Sequence, residues 1–361
     1  LGDRRAAAAG YSSACDSFAR LLEKHPGSAA FLSSLALCHN NLGLILAADG
    51  DAAGAGAAFR KAERLAEDAC HDAPDDGTHG WRLALVLTNI GMVHADQGDR
   101  ERADAWYGRA IAMLEGLVDR EPHRDEFRRE LAVAYNNRGA LRRTAAPRQA
   151  ADDNGLALRH YEALVQRHER FDDLSKWAVC LCNQGVLLAE LGSRSDAIAA
   201  LREAVATQER LSRKAPARIA SRHDLAISCN NLGRVLLDAG SWDEADQVLR
   251  RAGEVLDELI ADYPPTAEHW AGLGGIDNNR AAVQERRGDL VRAAELFDRA
   301  VERLQQACSL SGNAAEPREL LGQAMANRDR VLEALKHRTT AATWRDQVAV
   351  PTAAREEQTS P

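Results

Sequence analysis

The amino-acid sequence predicts an all-α chain: a right-handed superhelical solenoid of antiparallel helix pairs, with no sheet. Three observations carry that expectation. One asparagine recurs at Asn41, Asn89, Asn137, Asn183, Asn231, Asn279 and Asn327, at intervals of 48, 48, 46, 48, 48 and 48 residues. A set of Gly, Ala and Pro positions keeps step with it. The chain is 45% hydrophobic but only 5% aromatic, a balance suited to Ala/Leu helix packing rather than to a sheet core. Self-similarity at such a period marks stacked units, each burying its apolar face only against its neighbours.

Each unit reads as helix A, a tight corner, helix B and a short Pro-bearing turn. Helix A carries the marker Asn and, two residues on, Gly43, Gly91, Gly139, Gly185 and Gly233, with Ala281 in the sixth unit. These small residues form one recurring seam where helices approach closely. Seven residues further stand Gly50, Gly98, Gly192, Gly240 and Gly288, each followed directly by Asp51, Asp99, Ser193, Ser241 or Asp289. Gly ends a helix in the left-handed conformation, and Asp or Ser caps the next one, so the pair predicts a two-residue corner. Ser241 with Glu244 fits a reciprocal capping box.

Helix B follows with Ala55, Ala103, Ala197, Ala245 and Ala293, then a large apolar residue at Phe59, Tyr107, Leu201, Leu249 and Phe297. A second Ala closes the pattern at Ala62, Ala110, Ala204, Ala252 and Ala300. Pro26, Pro74, Pro122, Pro216 and Pro264 precede the markers by 15 and are placed at the entry to helix A, where a missing N–H costs little. In the second unit, helix A is expected at about 77–97 and helix B at about 99–120, rods of about 30 Å.

The order Leu42-Gly43, Ala55, Phe59, Ala62, repeated as Ile90-Gly91, Ala103, Tyr107, Ala110, resembles the tetratricopeptide repeat. That family's unit is about 34 residues long. Here Pro74 and Pro122 arrive about two helical turns later, so both helices are longer. Long units with an Asn40-Asn41-Leu42-Gly43 or Asn230-Asn231-Leu232-Gly233 core look like those attached to bacterial serine/threonine protein kinases of the planctomycete type. The resemblance covers nearly the whole chain. It implies that helix A lines a concave groove, and that the Asn before the Leu-Gly pair contacts a bound peptide's backbone.

The expected layout is a solenoid over 1–338, with the second helix of a truncated repeat at 1–26, six repeats over about 27–312 and a final helix over about 314–338. A loose tail follows at 339–361. Gly2-Asp3 aligns with the corner Gly98-Asp99, and Ala7, Tyr11 and Ala14 fill the helix B places. The chain is therefore expected to open in a corner and to be a fragment of a longer polypeptide. The third unit departs from the pattern: Ala146-Pro147 replaces the Gly-Asp corner, Asn154 falls near the aromatic's place, and Arg138, Arg142, Arg143 and Arg148 crowd together. That corner reads either as an irregular turn with a solvated basic face or as a ligand-contacting irregularity.

A net charge of −8 gives no nucleic-acid footprint. No apolar run approaches the roughly 20 residues that cross a bilayer, and no signal peptide is visible, so membrane insertion is not expected. Seven Cys without a CxxC pattern point to buried reduced thiols and a cytoplasmic setting. His39, His94 and the remaining His show no metal-ligand spacing. Neither a phosphate-binding glycine loop nor a nucleophile or kinase motif is present. No cofactor, no metal and no enzymatic activity are expected.

The Asn ladder needs a cause, because Asn is a mediocre helix former. One reading has each amide tie helix A to the neighbouring repeat. The other makes the ladder a peptide-binding surface of Asn41, Asn89, Asn137, Asn183, Asn231 and Asn279, with Asn40, Asn136, Asn230, Arg143 and Arg234 beside them, and Asn278 adjacent on the same face. This surface is amide-rich and poor in Lys/Arg, so it suits an extended peptide segment or partner helix of low charge. The expected function is a protein–protein interaction scaffold; the alternative is a regulatory arm of a larger signalling protein such as a serine/threonine kinase. Oligomeric state is left open.

Overall fold

The computed structural model describes residues 2–312 and 315–348, which hold 14 helices and no strand. They form two compact units, Leu1–Gly192 and Ser193–Pro361. The first contains α1 (Gly2–Lys24), α2 (Ala29–Ala48), α3 (Ala52–Asp72), α4 (Gly77–Asp96), α5 (Arg100–Arg120), α6 (Asp125–Arg142), α7 (Pro147–His168) and α8 (Phe171–Glu190). The second contains α9 (Arg194–Lys214), α10 (Ile219–Asp238), α11 (Trp242–Asp262), α12 (Ala267–Arg287), α13 (Leu290–Ser311) and α14 (Ala315–Val348). Within each unit the hairpins α2/α3, α4/α5, α6/α7, α10/α11 and α12/α13 pack most extensively, and successive first helices pack on one another.

The periodic residues are the core. Ala62, Ala103, Ala110, Ala197, Ala204, Ala245, Ala252, Ala293 and Ala300 are all 0% exposed. The large residue of helix B lies over the Gly of its own hairpin. A Cβ on Gly43 would sit 3.0 Å from the Phe59 ring, one on Gly91 2.8 Å from Tyr107, and one on Gly233 2.4 Å from Leu249. The seam therefore sets how closely the two helices of a hairpin approach.

The corners are left-handed as expected, with φ of +83° at Gly50, +80° at Gly98, +88° at Gly192, +81° at Gly240 and +82° at Gly288. Asp51 Oδ1 accepts the Gly54 N–H at 2.8 Å, Asp99 that of Arg102 at 3.2 Å, and Asp289 that of Arg292 at 3.0 Å. Ser193 and Ser241 make no such bond, and the capping box expected of Ser241 and Glu244 does not form. Ser241 (φ −85°, ψ 61°) has nearly the backbone of Asp99 (φ −82°, ψ 74°), so its shorter side chain is the difference. A capping box occurs instead at Thr266 and His269, which exchange bonds of 3.2 and 3.3 Å.

The prolines also differ from expectation. They stand outside the helices, two residues before the N-cap. Pro26, Pro74, Pro122 and Pro216 each follow the residue whose carbonyl accepts from the N-cap N–H: Ser28 to His25, Asp76 to Ala73, Arg124 to Glu121 and Arg218 to Ala215. That is the second position of a β-turn, where a fixed φ is an advantage. Pro147 and Pro317 do stand in the first turn of a helix, α7 and α14. The α7–α8 turn has no Pro; Glu169 adopts φ +40° there.

Three further expectations are adjusted. Gly2 and Asp3 are already helical, so α1 does not open with a corner. α14 continues to Val348, past the expected end at 338, and the rest of the expected tail, 349–361, lies outside the described residues. α2 is long and apolar enough by composition to cross a membrane, with a mean hydropathy of 1.4. It nevertheless packs against α1, α3 and α4, and Asn40 in its middle is wholly buried. All seven Cys are free; five are buried, but Cys70 and Cys308 are partly exposed.

Candidate interaction groove

The marker asparagines form rungs between first helices. Asn89 Nδ2 donates to Asn40 Oδ1 at 3.1 Å, Asn183 to Asn136 at 3.1 Å, Asn279 to Asn230 at 2.9 Å and Asn327 to Asn278 at 3.0 Å. In each rung the acceptor is the residue just before the previous marker. Asn41, which heads the series, accepts from Asn40 Nδ2 at 3.1 Å. Where Thr88 replaces the acceptor Asn, its hydroxyl turns to the Ala84 carbonyl at 2.9 Å, and Asn137 makes no rung. Asn136 Oδ1 accepts a second bond from Cys180 Sγ at 3.3 Å. Asn231 is half-buried in α10.

The basic corner of the third unit is laced with ion pairs. Arg138 grips Asp153 through Nε at 3.0 Å and Nη2 at 2.6 Å. Arg142 binds Asp104 at 2.6 and 2.9 Å and reaches Asp153 at 3.1 Å. Arg143 binds Glu190 at 2.5 Å, so this predicted site residue is already paired. Arg148 is exposed. Asn154, in the aromatic's place, is 1% exposed, and its Oδ1 has no hydrogen-bond partner.

The second unit holds a groove of about 630 Å³ along α10, α12 and α14. It brings together four ladder-face residues read from the sequence, Asn230, Arg234, Asn278 and Asn279, with side chains that the repeat did not reveal. Ile227 (43% exposed) and Leu320 supply apolar surface, and Gln323 adds another amide. Gly275 leaves the α12 backbone uncovered, since a Cβ there would meet nothing within 4 Å, whereas one on Gly272 would lie 3.0 Å from Leu256. One end is polar: His223 Nε2 lies 3.6 Å from Glu268, and its ring is 5.8 Å from that of His269. Burial, followed by the neighbouring His223, lowers the His269 pKa from its usual value.

Asn41, Asn89, Asn136, Asn137, Asn183 and Arg143 belong to the first unit and do not line this groove. Ile227, one turn before Asn231 on α10, was legible from helical spacing. Gln323 holds the same place before the marker Asn327 on α14, with Leu320 nearly one turn earlier, so the same spacing could have found both. Among the described residues, no three His, Cys, Asp or Glu side chains are grouped to hold a metal ion. The groove can supply amide hydrogen bonds, a shallow apolar floor and one cation, Arg234.

The tetratricopeptide repeat family model matches residues 83–125 and 225–253. No curated protein matches the chain in sequence. Among solved structures, the nuclear import adaptor Nro1 of S. pombe is similar with a TM-score of 0.55 and 12% identity, covering 82% of this chain and 99% of Nro1. BtubC (BKLC) from P. vanneervenii gives 0.54 and 19% identity, over 73% of this chain and 94% of its own. The apo form of RapI gives 0.52 and 12% identity, over 96% and 92%. These likenesses show the fold, an all-α array of tetratricopeptide-like helix hairpins.

Proposed function

We propose that the chain is a non-enzymatic protein-interaction scaffold and that the α10–α12–α14 groove binds an extended peptide segment through its backbone. The observation that carries this reading is the convergence of Asn230, Asn278, Asn279 and Gln323 over a floor bared at Gly275. An extended peptide offers an N–H and a C=O at every residue, and carboxamides can meet both. Glycine on α12 lets the peptide main chain come close. Arg234 is the lone Lys or Arg in the groove, so an anionic terminus or phosphate is a poor match. The rungs and the ligand do not compete for the same atoms. Asn279 commits its N–H to Asn230, and its carbonyl oxygen is available to accept from a peptide N–H. The adaptor role of Nro1 is in keeping with a scaffold.

An array of short random peptides, probed with the labelled intact chain, tests the reading. Hits are expected to weaken by roughly tenfold on Asn279→Ala, the cost of one or two hydrogen bonds. They should also weaken on Ile227→Asp, a change at an exposed side chain that leaves the core untouched. Hits that bind both folded variants as tightly as the wild type would overturn it.

A further inference from the structure

One position in the repeat changes its chemistry. Fifteen residues after the marker stand Asp104 in the second unit and Asp246 in the fifth, and each reaches into the next hairpin. Asp104 meets Arg142 at 2.6 and 2.9 Å, and Asp246 meets Arg280 at 3.4 Å. In the first unit this position is Gly56; it is Ile198 in the fourth and Ala294 in the sixth. At the matching place in the next hairpin, where the third unit has Arg142, the second has His94. The bridge is missing at both ends.

A cavity of about 410 Å³ remains between α3 and α5, floored by the end of α4. Its apolar walls are Phe59, Ile90, Val93 and Trp106, and Arg60, Arg102 and His94 also line it. His94 Nδ1 is buried without a hydrogen-bond partner; Asp99 Oδ2 lies 3.9 Å away, too far to serve. The Arg60 guanidinium hangs beside Gly56, with Nη1 3.2 Å from where a Cβ would be. Glu63, the carboxylate that lines the cavity, is already held by Arg109 at 2.9 Å. Arg102 is held by Asp99 at 3.4 Å, so the excess positive charge of the notch is that of Arg60, beside the half-buried Trp106.

We propose that this notch binds a carboxylate side chain, an Asp or Glu flanked by an apolar residue, presented by a partner protein. The incoming carboxylate would occupy the place that Asp104 fills one unit further on, between Arg60 and His94, while the flanking side chain packs on Trp106. A charge-assisted bond to a guanidinium is among the stronger contacts a protein surface can make. The site is separate from the α10–α12–α14 groove and does not depend on it.

The test restores the missing carboxylate in cis. Gly56→Asp is sterically permitted, because only the flexible end of Arg60 lies near the added Cβ. Phage-displayed random peptides are selected on the intact wild-type chain, and the enriched sequences are measured against variants. Enriched peptides should carry Asp or Glu next to an apolar residue. Their affinity should fall by roughly tenfold or more on Gly56→Asp, and on Arg60→Glu at an exposed side chain. Asn279→Ala, in the other unit, should leave it unchanged. Enrichment of no peptide, enrichment of peptides without an acidic residue, or equal binding to folded Gly56→Asp and Arg60→Glu would each overturn the proposal.

Discussion

The junction between α3 and α5 and the one that follows, between α5 and α7, come from the same repeat and differ in what fills the space. The second holds Asp104, joined to Arg142, which in turn shares Asp153 with Arg138. The first holds Gly56 and His94, and stays open. The irregular corner, Ala146-Pro147, is thus cross-linked by charge, whereas α3, which follows the regular corner Gly50-Asp51, lines a cavity. Departure from a repeat's spacing does not by itself mark a binding place. At the α3–α5 junction, within unbroken spacing, the lack of an ion pair that two other units keep goes with open volume and an unsatisfied His94 nitrogen.

The largest effect that would sharpen this contrast is expected at Asp153, which is 3% exposed. Asp153→Ala leaves Arg138 without its bidentate partner and weakens the hold on Arg142. Removing one member of a buried pair strands the other charge, so the variant should lose about 3 kcal/mol of stability. The midpoint of urea unfolding checks this. A shift corresponding to less than about 1 kcal/mol, the range of exposed pairs, would mean that the corner is solvated.

The pH dependence of the same region is expected to come next. Burial raises the Glu130 carboxyl on α6 to about 7, with Arg129 pulling the other way. Burial, followed by Arg128 and Arg159, lowers His160 on α7 to about 4. The signs oppose each other. Between its ordinary value of 4.5 and about 7, Glu130 keeps its proton in the folded chain and loses it in the unfolded one, so acidification through that window stabilises the fold. Between about 4 and 6.5, His160 stays neutral when folded and charges when unfolded, so acidification destabilises it. Glu130→Gln removes the first contribution only. Urea midpoints measured from neutral pH down to about pH 5 should therefore fall more steeply for the variant than for the wild type. Parallel profiles would show that Glu130 titrates normally in the fold.

Much of this architecture was legible because repetition multiplies weak signals. One Gly-Asp pair says little, but five corners at a fixed offset from Asn predicted left-handed Gly at all five, and the Ala positions came out fully buried. Three kinds of feature were not legible. Ser241 and Asp99 look interchangeable as caps, yet only the longer side chain makes the bond. The Pro offset was visible, but its place outside the helix depends on a turn carbonyl that sequence does not show. The Arg–Asp bridges between hairpins escaped notice because the partners lie tens of residues apart and vary between units: Arg142 with Asp104, Arg129 with Asp173, Arg303 with Asp257. The groove was half visible: helical spacing gave Asn230, Arg234, Asn278 and Asn279, while Ile227, Gln323 and Leu320 stand four and seven residues before a marker, where the residue type changes along the array.

The finest test of the comparison is one substitution made at two glycines. On α4, a Cβ at Gly91 would lie 2.8 Å from the Tyr107 ring, which is only 2% exposed and closed in by the core. Gly91→Ala should therefore destabilise the chain by about 1 to 2 kcal/mol, the cost of overpacking, despite the better helix propensity of alanine. On α3, a Cβ at Gly56 would meet only the mobile end of Arg60. Gly56→Ala should therefore stabilise by roughly 0.5 kcal/mol, because the backbone entropy of glycine in a helix is removed without a clash. Opposite shifts in unfolding midpoint are the expected result. A loss at Gly56 would mean that the notch is already filled by the protein's own side chains, leaving no room for a partner's carboxylate.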